Sequence, residues 1–237
     1  EDSLPVLNHD KEIVGIITAQ DVVEAVDDEM GEDYAKLAGL TAEEDLQETT
    51  KQSIKKRLPW LVVLLVLGMG VSAVVGAFEN VVAILPIVIC FQSLILDMAG
   101  NVGTQSLAVT IRVLMDEELA PKDKLKLVFK EAKVGFSNGF LLGILAIVFL
   151  GLYIFLYKGY DIRHAFLISL CVGVSLLLAM IVSSLVGTLV PLFFKKIKVD
   201  PVVASGPLIT TVNDLVAVVI YYGLSWVFLI QTMHILG

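Results

Sequence analysis

Five apolar runs, each long enough to cross a bilayer, leave this chain almost no way to fold in water. They cover roughly 59–78, 81–114, 134–157, 164–194 and 201–231, where a crossing needs about 20 residues. Overall, 57% of the 237 residues are hydrophobic and 18% charged, against about half and about a quarter in soluble domains. The charge is concentrated at one end. Residues 1–57 hold fifteen of the 25 Asp and Glu with six Lys and Arg, a balance of about −9, and the remainder is nearly neutral. The sequence therefore predicts an all-α membrane protein of five transmembrane helices behind a short acidic soluble segment. The divisions fall at 1–26, 27–57 and 58–237.

In the soluble part, Leu4–Leu7 and Glu12–Thr18 read as two strands joined by the turn Asn8-His9-Asp10-Lys11. Thr18 is placed to cap a helix starting at Ala19. A strand–strand–helix piece of this size cannot bury a core alone, so residues 1–26 are expected to be the end of a larger α/β domain. The opening Glu1-Asp2-Ser3-Leu4-Pro5 has no basic or apolar leader pattern and reads as cut from a longer protein. Residues 27–57 are acidic and helix-prone.

Basic residues orient the spans. Lys55, Lys56 and Arg57 precede the first. Arg112, Lys122, Lys124, Lys126, Lys130 and Lys133 follow the second, and Lys195, Lys196 and Lys198 follow the fourth. The opposite loops hold only Lys158 and Arg163. The positive-inside rule then puts the N-terminus in the cytoplasm and the C-terminus outside. Pro86 and the Gly100/Gly103 pair are the expected kink points of the second span. Cys90 and Cys171 sit in apolar runs without a Cys/His grouping and read as buried small hydrophobes. No role is assigned to His9, His164 or His234.

Polar residues inside the spans carry the functional signal. Asp214 is a carboxylate within the fifth run, and such a group is costly at membrane depth unless something passes or binds there. Gly206, Thr210 and Asp214 fall at i, i+4 and i+8, one helix face. Asp97, Asn101 and Gln105 repeat that spacing in the second run, interleaved with Gly100, Gly103 and Thr104. Two narrow polar stripes beside small residues are what a hydrophilic path between helices requires. A small divalent cation such as Mg²⁺ holds its waters tightly. One Asp per chain, with amides, hydroxyls and carbonyls, suits an ion that keeps those waters and donates hydrogen bonds through them. A two-fold dimer would bring two copies of Asp214 near the axis, and Gly206-Pro207 could open the helix and expose carbonyls. Two blander readings remain open: protonated Asp97 or Asp214 as structural glue between helices, and the glycine pair as close packing alone.

The stretch from Leu85-Pro86 through Asp97-Met98-Ala99-Gly100-Asn101-Val102-Gly103-Thr104-Gln105-Ser106 to Ile111-Arg112 resembles the second transmembrane helix of the MgtE family of magnesium channels, with its Gly-Asn-x-Gly-x-Gln signature. Asp200-Pro201 and Ser205-Gly206-Pro207-Leu208-Ile209-Thr210-Thr211-Val212-Asn213-Asp214 is similar to that family's fifth helix. The resemblance implies a homodimeric prokaryotic inner- or plasma-membrane protein that carries Mg²⁺ through a pore lined by these helices. Asp214 would be the central ligand acting through water, with Thr210, Asn101, Gly100, Gln105 and Asp97 around it. Residues 1–26 would be the tail of a CBS domain, and 27–57 the linking plug helix. Asp21, Glu24, Glu29, Glu32 and Asp33 then fall at positions like those of the family's cytosolic Mg²⁺ sensor, where bound Mg²⁺ would relieve carboxylate repulsion and dock the helix. A solvated acidic linker is the plainer reading of the same charges.

Mg²⁺, other divalent cations and membrane lipid are the expected partners, and nucleic acid is not. The alternative within transport is an ion-coupled divalent cation exchanger using Asp97 as a coupling group. An enzyme is not expected, because the sequence offers no Ser/His dyad, no His-Glu-x-x-His pair and no close Asp pair on neighbouring spans.

Overall fold

The structure is a computed structural model that describes residues 3–40, 47–84, 86–116, 120–204 and 206–232. Two compact units divide at the start of the membrane region, Glu1–Trp60 and Leu61–Gly237. Leu85 and Ser205, which flank the two signature stretches, lie outside the described residues, as does His234.

In the first unit, β1 (Ser3–Leu7) pairs antiparallel with β2 (Ile13–Thr18), Leu4 opposite Ile17 and Val6 opposite Gly15, with an irregularity between Val6 and Leu7. Asn8 closes the turn, its side-chain oxygen accepting from the backbone N–H of Asp10 and Glu12, each at 2.9 Å. Lys11 takes the left-handed conformation, φ 63°. Helix α1 (Ala19–Leu37) begins at the expected cap and runs on well beyond Val26. The Thr18 side chain accepts from the Asp21 N–H at 3.2 Å, and the Asp21 carboxylate accepts from the Thr18 N–H at 2.7 Å, a reciprocal capping box. Leu4, Ile13 and Ile16 remain exposed, so this hairpin and helix enclose no core of their own.

Among the described residues, five helices are long and apolar enough to cross a membrane: Thr50–Ala77, Pro86–Met115, Pro121–Tyr157, Ile162–Lys196 and Gly206–Leu229. The fold class is therefore the expected all-α membrane architecture with a small two-stranded sheet at its N-terminal end. Helix α2 (Thr50–Ala77) starts where the Gln52 side-chain oxygen reaches back to accept from the Thr49 N–H at 3.0 Å. It buries none of its residues, and its last turns rest Val71, Val74 and Val75 on the core. A short helix α3 (Glu79–Ile84) and a 3₁₀ turn (Pro86–Val88) lead into α4 (Ile89–Asp116). The break expected at Pro86 is present, because proline cannot continue the ladder. At Gly100 and Gly103, by contrast, α4 is continuous.

Helices α5 (Pro121–Tyr157) and α6 (Ile162–Lys196) form the tightest pair. Gly135, Gly139 and Gly143 recur every fourth residue of α5 and are buried against α6. A Cβ on Gly135 would lie 2.8 Å from the Ser184 Cβ, one on Gly139 3.0 Å from the Leu177 Cα, and one on Gly143 2.9 Å from the Gly173 oxygen. Association inside lipid has no hydrophobic drive and rests on such close backbone approach. Helix α6 is central and packs on α4, α5 and α7 (Gly206–Leu224). Its buried face is rich in Ser, Gly, Ala and Thr, from Ser169 through Thr188. The fifth span therefore starts at Gly206, behind a separate 3₁₀ turn at Pro201–Val203, and ends in a π-helical stretch, Ser225–Thr232.

Large apolar side chains point outward around this unit, among them Leu65, Phe140, Leu141, Phe149 and Leu156. In water each would forgo about 1.5–3 kcal/mol of burial; against lipid chains they lose nothing. Cys171 is buried as expected, whereas Cys90 is exposed at the second position of α4, and both are free.

Candidate functional site

The two signature helices pack against each other and run antiparallel. Tyr221 donates to the Val88 carbonyl at 2.7 Å and Tyr222 to Gln92 at 2.5 Å. Further along the seam, a Cβ added to Gly100 would sit 3.1 Å from the Thr210 methyl carbon, and one on Gly103 would be 3.2 Å from Ile209 Cγ2 and would strike the Asn213 amide. Asp97 and Asp214 both lie in the stretch between the Gln92–Tyr222 and Gly100–Thr210 contacts. The glycines of the signature thus have a clear packing duty: they let α7 come close to α4 at Ile209, Thr210 and Asn213.

Along that seam the polar side chains divide by burial. Asp97, Asn101 and Gln105 are exposed on α4, while Thr210 and Asp214 are half-buried on α7. Among the described residues, Asp97, Asn101, Gln105 and Asp214 make no side-chain hydrogen bond or ion pair. Their lone pairs are free at membrane depth, which structural glue between the two helices would not leave. Thr210 donates to the Gly206 carbonyl and Thr211 to the Pro207 carbonyl, both at 2.9 Å. The opening of the helix considered for Gly206-Pro207 is therefore absent at these two carbonyls, which are engaged one turn on by threonine hydroxyls.

Asn213 was passed over in the sequence reading. It is fully buried, and neither its oxygen nor its nitrogen has a partner. Gly103 makes room for its amide, and the Gly103 carbonyl is in turn where a Cβ on Gly187 would collide. Helices α4 and α7 thus meet at one uncompensated amide, next to Asp214, with α6 packed on the Gly103 backbone. The signal in sequence was a second polar residue adjoining Asp214, overlooked because it lies off the stripe.

Glu131 was also overlooked. It is 4% exposed and accepts from Ser106 at 3.0 Å. Ser184 lies 2.9 Å from the Ser106 hydroxyl and donates to the Glu131 backbone oxygen at 2.7 Å. This knot ties α4, α5 and α6 one residue beyond Gln105. A buried carboxylate needs such partners, and nothing in its place between Lys130 and Lys133 marks it as buried.

The five acidic residues singled out before the membrane are all on α1. Asp21 is held in the capping box, and its carboxyl is lowered from the usual range first by the Thr18 backbone N–H and then by the Thr18 hydroxyl. Glu32 lies 3.2 Å and Asp33 4.0 Å from the Lys36 ammonium, while Glu24 and Glu29 are exposed. Among the described residues, no three His, Cys, Asp or Glu side chains gather where they could hold a metal ion directly.

A polytopic helical membrane protein with an unbonded carboxylate and amide seam between two packed spans is the class these features define. The sequence profile of the MgtE family, described as a divalent cation transporter, matches residues 92–224, more than half of the chain and both seam helices. The chain belongs to the MgtE family, and it is an integral membrane protein. It is 35% identical over 227 residues to the magnesium transporter MgtE of Enterococcus faecalis and 34% identical over 229 residues to that of Bacillus subtilis, covering 96% of this chain in each case. Identity to the magnesium transporter MgtE of Thermus thermophilus is 31% over 225 residues, 94% of this chain. The chain spans about half the length of these curated relatives, 48% of each.

Proposed function

We propose that this chain forms the membrane pathway of a magnesium transporter, acting as a homodimer in which hydrated Mg²⁺ moves along the α4–α7 seam. The observation that carries the reading is the set of unbonded oxygens on Asp214, Asp97, Asn101 and Gln105 beside Thr210. Among the described residues, no cluster of three carboxylates is present to strip a tightly hydrated ion. Well-spaced acceptors, with the Gly100 backbone close by, instead suit hydrogen bonds from the ion's waters, while the carboxylates balance its charge. An exposed Asp97 cannot face lipid chains. A second copy related by a two-fold axis covers the stripe and doubles its charge. Transport rather than catalysis is the activity, with the N-terminus in the cytoplasm and the C-terminus outside.

Residues 1–26 as the end of a CBS domain, and α1 as a plug helix whose Asp21, Glu24, Glu29, Glu32 and Asp33 bind cytosolic Mg²⁺, complete the reading for the longer protein. Glu24 and Glu29 are the residues there whose carboxylates are exposed and available. The second reading, an ion-coupled divalent cation exchanger, is favoured by one feature: Asp97 lies in the same stretch of the seam as Asp214, where it could carry a coupling ion. Dependence of flux on sodium or pH separates the two. The primary test is Mg²⁺ uptake into liposomes holding the purified dimer. Uptake by the unaltered chain and its loss in Asp214→Asn support the pathway; unimpaired uptake by both Asp214→Asn and Asp214→Ala overturns it.

A further inference from the structure

One face of α5 changes character along its length. Lys126, Lys130, Lys133, Ser137, Phe140 and Ile144 follow at alternating spacings of four and three and share a stripe, and all six are exposed. The three ammonium groups make no ion pair among the described residues. Neither carboxylate of this helix neutralises them: Glu131 is turned into the core and bonded to Ser106, and Asp123 makes no ion pair among the described residues. A groove of about 630 Å³ runs along Lys126, Phe129, Lys130, Lys133, Ser137 and Asn138. Directly beyond it, a second groove of about 130 Å³ lies between α5 and α6, lined by Gly139, Gly143 and Gly173 with Phe140 and Ile144 beside them. At these glycines α5 and α6 approach so closely that a Cβ on Gly139 or Gly143 would meet the α6 backbone, and the groove runs along that line of contact.

We propose that this stripe binds one anionic glycerophospholipid. The lysines hold the phosphate, Ser137 and Asn138 supply neutral donors to the headgroup, and an acyl chain lies in the glycine-lined groove. Orientation in the membrane needs only basic residues near the helix end, on any face. It does not call for three on one stripe, followed by a hydroxyl, an amide and an apolar channel at the depth of the hydrocarbon. A second copy of this chain docked here about a two-fold axis would set lysines against lysines. Helix α1 is acidic, but Glu32 and Asp33 flank Lys36, and it offers nothing to the apolar channel.

Native mass spectrometry of the purified chain, released from nanodiscs of phosphatidylglycerol or of phosphatidylcholine, tests this. The unaltered chain should retain phosphatidylglycerol and not phosphatidylcholine. The triple variant Lys126→Gln, Lys130→Gln, Lys133→Gln should reduce that retention by about fivefold per lysine, roughly a hundredfold in all. The double variant Lys196→Gln, Lys198→Gln, at the basic end of α6, should leave it unchanged. Equal retention of the two lipids, no effect of the triple variant, or an equal effect of the double variant overturns the proposal. Displacement of the lipid by inorganic phosphate would also overturn it, since the site would then recognise phosphate alone. Crosslinks from these lysines to α1 or to a second copy in lipid-free detergent would identify a protein occupant and overturn it as well.

Discussion

Helix α1 and the α4–α7 seam are both marked by polar residues at helical spacing, yet they handle them in opposite ways. On α1, water is available, and even so Asp21 closes a capping box and Glu32 and Asp33 flank Lys36. In the seam, where every unbonded polar group is expensive, the side chains of Asp97, Asn101, Gln105 and Asp214 have no hydrogen-bond or ion-pair partner among the described residues, and Asn213 is buried without one. Acidic density alone is therefore a weak guide to a site. Polar atoms left unbonded where bonding matters most are a strong one, because a fold maintained for stability alone would replace them with apolar side chains.

The sharpest way to break this contrast is to remove the charge from the seam. Asp214→Ala and Asp214→Asn should both reduce Mg²⁺ uptake by at least about a hundredfold, since a neutral amide cannot balance a divalent ion at that depth. Asn101→Ala should be milder, because it removes one neutral acceptor of a water-mediated contact. Uptake into liposomes, with dimer content checked by crosslinking, measures all three. If Asn at position 214 preserves uptake while Ala does not, geometry rather than charge governs the seam.

The next largest effect should come from the close approach that brings the stripes together. A methyl group on Gly103 meets the Asn213 amide and lies 3.2 Å from Ile209. Gly103→Ala should therefore push α7 off α4 and cost about 1–3 kcal/mol, read as a lower melting temperature in detergent, with uptake falling too. Gly68→Ala, where a Cβ meets nothing within 4 Å, is the control. Equal stability of the two variants would mean that the seam is looser than drawn.

Much of this was legible beforehand because lipid imposes simple rules. Apolar runs, basic flanks and polar stripes gave the five spans and the helices of the seam, and Thr18 gave the start of α1. Packing was less legible. The Gly135/Gly139/Gly143 repeat is plain in the sequence, but nothing in it says which helix supplies Gly173 and Ser184. Pro201 looked like the start of a span, but Asp200 turns the chain through a 3₁₀ turn by accepting from the Val202 N–H at 3.0 Å, delaying the helix to Gly206. Glu131 and Asn213 were hidden for a related reason. The residues packed around them, Ser106 and Ser184 at Glu131 and Gly103 at Asn213, lie on other helices far away in sequence.

On the α1 side of the comparison, neutralisation should do little to flux in this chain. Glu29→Gln, Glu32→Gln and Asp33→Asn together should leave Mg²⁺ uptake within about twofold, because exposed ion pairs such as those to Lys36 contribute about 0–1 kcal/mol and none of these residues lies on the seam. Uptake assayed across a range of internal Mg²⁺ checks this. Strong inhibition by internal Mg²⁺ that vanishes in the triple variant would show that α1 is itself a working sensor, and the contrast between the regions would narrow.

The smallest effect concerns the capping box. The Asp21 carboxyl is held below its ordinary value of 3.8, first by the hydrogen bond from the Thr18 backbone and then by the Thr18 hydroxyl. A group with a lowered folded value stabilises the folded form fully above its unfolded value, and that contribution is lost as pH falls through the folded one. The first turn of α1 should therefore be intact at neutral pH and fray only below about pH 4. Hydrogen exchange of the Asp21 to Glu24 amides, corrected for the intrinsic rate at each pH, should show protection falling over that interval. Asp21→Asn should show weaker protection already at pH 7 and no further loss attributable to this turn, which separates it from the other carboxylates of α1. Protection in the unaltered chain that is flat from pH 7 to pH 3 would mean the hydrogen bonds to Thr18 do not hold the turn. Asp21 would then be a free carboxylate, and the first of the α1 acids would join Glu24 and Glu29 as available to a cation.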